Sequence, residues 1–321
     1  MGAGGWGVKL TGVGVFGQSG GVNIRADTEA EPVAVIGAGS VGCMLAAYLA
    51  SAGYDIVVCG RAPLDRVVMT VDGATVEHKV AWAAEPGELP PVQWAVLATK
   101  IHHTPDVADW LRALPASGIV IAAQNGVDHR ARIEPLTGAA VVPTVVWMNS
   151  KRTGPGEVVV TPARGLTVPD DEAGRAVADL FVPCGVPVET AADFLTAAWD
   201  KLLLNVIANP LTALTGRPLE VLSDPGVEAL GLDLALETVE VARAEGTALT
   251  PQHARDSMAF LQSLPGHLLS SMLQDRFAGR AMEHEGLLDP VVTLGRRHGI
   301  PTPFSRAILA LLDALPVGGV A

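Results

Sequence analysis

Val33-Ala34-Val35-Ile36-Gly37-Ala38-Gly39-Ser40-Val41-Gly42 is the most informative stretch of the chain. Four apolar residues in a row read as a buried strand, and the apolar stretch from Cys43 to Ala52 reads as a helix. Between them lies G-x-G-x-x-G, in the strand-to-helix context that makes the motif specific for a dinucleotide. Gly37 permits the tight turn, Gly39 lets the backbone approach a pyrophosphate, and Gly42 allows close packing of helix on strand. Ala38, Ser40 and Val41 complete the same turn, and the helix N-terminus attracts negative charge. Gly12-Val13-Gly14-Val15-Phe16-Gly17 matches the same expression but has neither a strand before it nor a helix after it, so it is read as a glycine tract.

Working outward, short apolar runs alternate with helical stretches: Ile56 to Cys59, Trp94 to Ala98, Ile119 to Ala123 and Val141 to Trp147. This alternation predicts an α/β fold, a Rossmann-type doubly wound parallel sheet. Val158 to Thr161 and Leu166 to Val168 add strand-like pieces, followed by a helix from Glu172 to Phe181 and a strand from Val186 to Glu189. From Ala191 onward the periodicity is helical: Ala191 to Ala208, Val227 to Glu245, Pro251 to Leu264, Gly279 to His298 and Pro303 to Leu315. The expected organisation is a flexible extension over 1–31, a nucleotide-binding domain over 32–190 and an all-helical C-terminal domain over 191–321. The last would carry substrate binding and catalysis.

The 321 residues carry a formal charge of −12, from 22 basic and 34 acidic side chains, which opposes binding to nucleic acid or to anionic lipid. Any anionic ligand therefore needs a local basic site. Hydrophobic residues make up 49% and aromatics 4%, so the core is built mainly from Ala, Val and Leu. Cys43, Cys59 and Cys184 are scattered, without a C-x-x-C pair, so neither a disulfide framework nor a metal site is expected. No apolar run approaches the length of a membrane span and no export signal opens the chain. The expectation is a cytoplasmic protein.

The second strand ends in Gly60-Arg61, where a site that prefers NAD would carry Asp or Glu. A guanidinium there offers bidentate hydrogen bonds to a 2′-phosphate, so NADP (NADPH) is the expected cofactor. Arg66 is a second candidate for the same phosphate. Lys100 and Gln124-Asn125-Gly126 follow two later strands, at the carboxyl ends where ligands of open α/β sheets bind. Lys100 could meet cofactor or substrate oxygens, and Asn125 could hydrogen-bond to ribose, nicotinamide or substrate. His102 and His103 lie on a loop without an evident partner, where solvated histidines are common.

In the helix beginning at Ala191, Lys201, Asn205 and Asn209 recur every fourth residue, and all else from Leu202 to Ala208 is apolar. That spacing puts one ammonium and two amides on a single stripe of a buried helix. Polar groups are costly there unless they line a polar cleft.

Lys201-Leu-Leu-Leu-Asn205-Val-Ile-Ala-Asn209-Pro210-Leu-Thr-Ala213 resembles the signature helix of the ketopantoate reductases (2-dehydropantoate 2-reductases). Ser270-Ser271-Met272-Leu273-Gln274-Asp275, then Ala278-Gly279-Arg280 and Glu283, continue the likeness. With the glycine motif, Gly60-Arg61, Thr99-Lys100 and Gln124-Asn125-Gly126, it runs from Val33 to about Leu315. The resemblance implies a general acid at Lys201 and substrate-orienting amides at Asn205 and Asn209. It further implies substrate contacts at Ser271 and Asn125 and a cleft carboxylate at Glu283, which would hold Lys201 charged if close. The activity implied is NADPH-dependent reduction of a branched 2-oxo acid, 2-dehydropantoate in pantothenate biosynthesis, in a chain for which a homodimer is allowed.

Two departures bear on the substrate. Glu283 is followed by His284-Glu285 where the family commonly has Ile-Asp, and His267-Leu268-Leu269 lacks an asparagine that some members use. The alternatives left open are a reductase of another 2-oxo acid, an enzyme of the 3-hydroxy acid dehydrogenase kind, and a non-catalytic NADP(H)-binding regulator.

Overall fold

The computed structural model describes residues 32–161 and 164–316; the extension expected over 1–31 lies outside them. The chain opens with β1 (Val33–Ile36), α1 (Ser40–Ser51), β2 (Ile56–Cys59), β3 (Arg66–Val71), β4 (Ala74–Lys79), β5 (Ala81–Ala83) and β6 (Trp94–Leu97). Then come α2 (Ala108–Arg112), β7 (Ile119–Ala122), α3 (His129–Ile133), β8 (Ala140–Pro143), β9 (Val145–Val146), β10 (Asn149–Gly154) and β11 (Glu157–Thr161). β12 (Leu166–Pro169), α4 (Glu172–Phe181) and β13 (Val188–Ala191) complete this half. The helical remainder is α5 (Phe194–Thr215), α6 (Pro225–Ala244), α7 (Pro251–Ser263), α8 (Ser271–Phe277), α9 (His284–His298) and α10 (Pro303–Asp313).

The main sheet is parallel throughout, in the order β5-β2-β1-β6-β7-β8. β1 lies at its centre with all four residues fully buried, which is why its sequence shows no polar alternation. The order reverses beside β1, so the crevice above the β1 and β6 carboxyl ends is the topological switch point where such sheets take ligands. A second sheet, β10-β11-β3-β4, packs against α1, and a third, β13-β12-β9, leads toward α5.

The expected stretch Val141 to Trp147 divides into β8, in the main sheet, and β9, which pairs with β12 instead. The expected strand Val186 to Glu189 is shifted to β13, and Gly279 to His298 is helical only from His284.

α5 is a helix of 22 residues and does not stop at Ala208 as expected. Pro210 lacks the N–H that would bond the Val206 carbonyl, a defect that ends exposed helices. Here Leu202, Leu203, Val206, Ile207, Leu211 and Ala213 are all buried in the core of the helical half. Each fully buried Leu or Val contributes about 1.5–3 kcal/mol, enough together to outweigh one missing hydrogen bond. Asp193 begins the helix by accepting from Thr196 N at 3.1 Å, and Gly216 ends it in the left-handed conformation.

Candidate functional site

The glycine turn is built as its sequence requires. Gly37 has φ of +107°, and a Cβ there would lie 2.7 Å from Thr99 N. At Gly42 a Cβ would meet Gly37 O at 1.9 Å, so glycine alone lets α1 start this close to β1. Gly39 differs, because a Cβ there would meet only Ala98 O, at 3.9 Å. The space before Gly39 is therefore open, with no side chain capping the first turn of α1 and no acidic residue in it. Unspent N–H groups at a helix N-terminus fit a pyrophosphate.

Arg61 is exposed just past the end of β2, with no hydrogen bond or ion pair among the described residues. Arg66 opens β3 and lies 3.9 Å from Glu77, on the strand that leads away from the turn.

Lys100 and Asn125 follow β6 and β7 and face the helical half. Lys100 Nζ pairs with Asp275 of α8 and donates to Ala281 O at 3.0 Å. Glu283, just before α9, accepts from Ile101 N at 2.9 Å and from Asn125 Nδ2 at 3.4 Å. Asn205 Nδ2 reaches Asn125 Oδ1 at 3.5 Å. Lys100, Asn125, Asn205 and Glu283 therefore meet in one cleft between the sheet and the helices. The buried Gln124 sets this geometry: its amide donates to Thr99 O at 2.9 Å and accepts from Arg132 at 2.7 Å, tying the β6 and β7 loops together. A glutamine beside an Asn-Gly turn gives no sequence signal for that role.

Asn209 lies deeper than its two partners on the stripe and is 3% exposed. Its Oδ1 accepts from Ser271 Oγ at 3.1 Å and from Met272 N at 3.3 Å, which fastens α8 to α5. Ser271 is exposed at the start of α8, with Ser270 as the cap. Asn209 is therefore a fastener in this structure, and its remaining amide hydrogens are what it can offer a ligand.

Lys201 stands one turn before Asn205, and its ammonium is walled in by protein although part of the side chain stays accessible. Burial pushes it down from the usual lysine range to about 8; Arg164 pushes the same way and Asp200 opposes both. Glu283 is not within ion-pairing distance of Lys201. Lys201 Nζ lies instead 5.3 Å from the centroid of the Trp147 indole, and no ion pair to it is present among the described residues. Trp147 and Arg164 were not legible as site residues, because they come from loops distant in sequence from α5.

His103 pairs with Asp106 at 2.7 Å, on the surface. His102 is half-buried, and burial first, then His103, lowers its basicity. His284, Glu285 and Asp313 bring ligand atoms within 4.8 Å of one another, a grouping away from Lys201 that the sequence did not suggest.

Two family models cover most of the chain: ketopantoate reductase PanE/ApbA matches residues 33–172, and its C-terminal counterpart matches residues 193–316. The chain is 34% identical to the 2-dehydropantoate 2-reductase of Caulobacter vibrioides, over 88% of this chain and 98% of that one. Among solved structures it is similar to a PanE/ApbA family ketopantoate reductase from Ralstonia eutropha, with 31% identity and a TM-score of 0.80 over 88% of this chain and 97% of that one. It is also similar to the dimeric ketopantoate reductase of Staphylococcus aureus, with 25% identity and a TM-score of 0.79 over 88% and 98%. A switch-point crevice, a glycine turn with open N–H groups and a helix whose Asn205 reaches the loop after β7 come together with these matches: the chain belongs to the ketopantoate reductase family.

Proposed function

We propose that the protein reduces 2-dehydropantoate (ketopantoate) to pantoate with NADPH. The observation that carries this reading is Lys201: an ammonium held without a carboxylate partner among the described residues, one turn from Asn205 and on the helix that faces the nucleotide crevice. Residues 32–190 serve as the nucleotide-binding domain and 191–321 as the substrate and catalytic domain.

Gly37, Ala38, Gly39, Ser40, Val41 and Gly42 hold the pyrophosphate, Arg61 holds the 2′-phosphate, and Lys100 and Asn125 line the path toward the reacting end. Bound NADPH supplies the hydride. Lys201 gives its proton to the ketone oxygen as negative charge grows there, and the amine is recharged from water. Asn205 and Asn125 orient oxygens without adding charge. Ser271 reaches the carboxylate from the rim, and Asn209 keeps Ser271 in place. Glu283, held by Ile101 N and Asn125, accepts from a substrate hydroxyl. NADPH is favoured over NADH by Arg61, and the S. aureus relative makes a homodimer the natural assembly. We infer a cytoplasmic setting from the free cysteines Cys43, Cys59 and Cys184, which form no disulfide framework; no described helix is long and apolar enough to cross a membrane.

The test is NADPH oxidation followed by absorbance with ketopantoate beside other branched 2-oxo acids. Ketopantoate is expected to give the highest kcat/KM. A different oxo acid preferred by tenfold or more would overturn the substrate assignment, and cofactor binding without reduction of any ketone would make the chain a regulator.

A further inference from the structure

Lys201 is not the only cation at Trp147. The Arg164 guanidinium carbon lies 4.5 Å from the same indole centroid, so two positive groups share one ring and lie within about 10 Å of each other. The ring between them is fixed. Trp147 is buried, its Nε1–H donates to Thr167 Oγ1 at 2.9 Å, and its backbone N–H donates to Gly165 O at 2.9 Å. The turn that carries Arg164 is fixed as well. Gly165 has φ of +90°, and a Cβ there would lie 2.1 Å from Pro187 O, so no other residue holds the backbone in this place. Arg164 is 42% exposed along its side chain and reaches Glu189 of β13 at 3.4 Å.

We propose that Arg164 is a positioning residue of the reaction: its guanidinium, sharing the Trp147 indole with the Lys201 ammonium, repels that charge and keeps Lys201 ready to release its proton. The inference rests on Lys201 being the proton donor. Like charges near one another each disfavour the charged form, and the effect is strong where protein replaces water. A guanidinium stays charged throughout, so the lysine yields. The lowering of Lys201, with Arg164 as its second cause after burial, agrees with this geometry.

Other charged groups act on the pair as well. Asp200, the neighbour of Lys201 on α5, favours the ammonium, but burial raises Asp200 itself toward its neutral form. His253 and Asp256 of α7 act on Asp200 with opposite signs. Glu189 draws on Arg164 from the solvent side. In the step itself a proton leaves Lys201 Nζ for the ketone oxygen as hydride reaches the carbon. Arg164 gives up nothing, and in the reverse direction the neutral amine takes the proton back.

The experiment is the pH profile of kcat for the NADPH-saturated enzyme with ketopantoate, in the unaltered protein and in Arg164→Gln and Arg164→Lys. A donor must be protonated, so kcat falls as pH rises through the Lys201 transition. Arg164→Gln should move that falling limb upward by about one pH unit, and Arg164→Lys should restore it. A 13C NMR titration of the reductively methylated Lys201 should show the same displacement independently of turnover. A limb that stays in place in Arg164→Gln would refute the inference, and a raised KM at every pH with an unmoved limb would make Arg164 a group for the substrate carboxylate instead. Lys201→Ala separates the two levels. If it keeps near-normal turnover the functional reading itself fails and this inference with it; if it is inactive while the limb in Arg164→Gln is unmoved, only the role of Arg164 is lost.

Discussion

Replacing Lys201 by methionine should stabilise the fold while disabling it. Burial and Arg164 lower the ammonium from 10.5 to about 8. At about 1.4 kcal/mol per pH unit, the folded state bears a cost of about 3 kcal/mol for holding this group charged, and nearer 2 because part of the side chain still meets solvent. The sign follows from the proton count. Below pH 8 both states are charged and the full cost is present. Between 8 and 10.5 the unfolded chain binds more protons than the folded one, so stability contributed by this group rises with pH until the cost is gone. Methionine is close to lysine in volume, carries no charge and packs well against an indole. Lys201→Met should therefore be about 2–3 kcal/mol more stable in urea at pH 7, with Tm raised by about 3–5 °C, and this gain should shrink toward pH 10. Turnover should drop about a hundredfold to ten-thousandfold, with NADPH still bound. A variant no more stable at pH 7, or one whose gain is the same at every pH, would refute the electrostatic account of the site.

Arg61→Ala should abolish the preference for NADPH over NADH in a fluorescence titration, and equal affinities in the unaltered protein would contradict the phosphate assignment. Asn209→Ala removes the acceptor for Ser271 Oγ and Met272 N, so it should cost about 1–3 kcal/mol in denaturation and raise KM more than it lowers kcat. Asp275→Asn weakens the part-buried pair with Lys100 and should lower stability by about 1–3 kcal/mol; no change would mean that the pair is offset by its desolvation.

Five of the six strands of the main sheet were readable, and β1 and β2, buried on both faces, appear as unbroken apolar runs. β3, β4, β5 and β10 were not anticipated. β4 is Ala74-Thr75-Val76-Glu77-His78-Lys79, exposed or half-buried along its whole length, and nothing in such a polar run separates strand from loop. α8 was missed as a helix because seven residues give too short a period. The Lys201, Asn205 and Asn209 stripe was legible from spacing alone, but its inequality was not: burial decides that Asn209 fastens α8 while Asn205 meets the cleft, and burial belongs to the packed fold. Asp275, Trp147 and Arg164 join the site from segments far from their partners in sequence, which no local pattern encodes.

Most polar groups of the cleft pair with one another. Lys100 has Asp275, Glu283 has Ile101 N and Asn125, and Asn205 has Asn125. A buried donor or acceptor without a partner costs more than a typical hydrogen bond returns, so this mutual pairing keeps the open site from being penalised. Ligand binding is then an exchange of protein oxygens for ligand oxygens, close to neutral for most of these groups. Lys201 is the exception, since its nearest charged neighbours include another cation and its ammonium faces an indole. Charge developing on a ketone oxygen would therefore gain most at Lys201, where no carboxylate ion pair among the described residues has to be broken. That asymmetry favours the transition state over the bound ketone, whose oxygen carries little charge, and it places the catalytic gain in turnover, with binding carried by the paired groups around it.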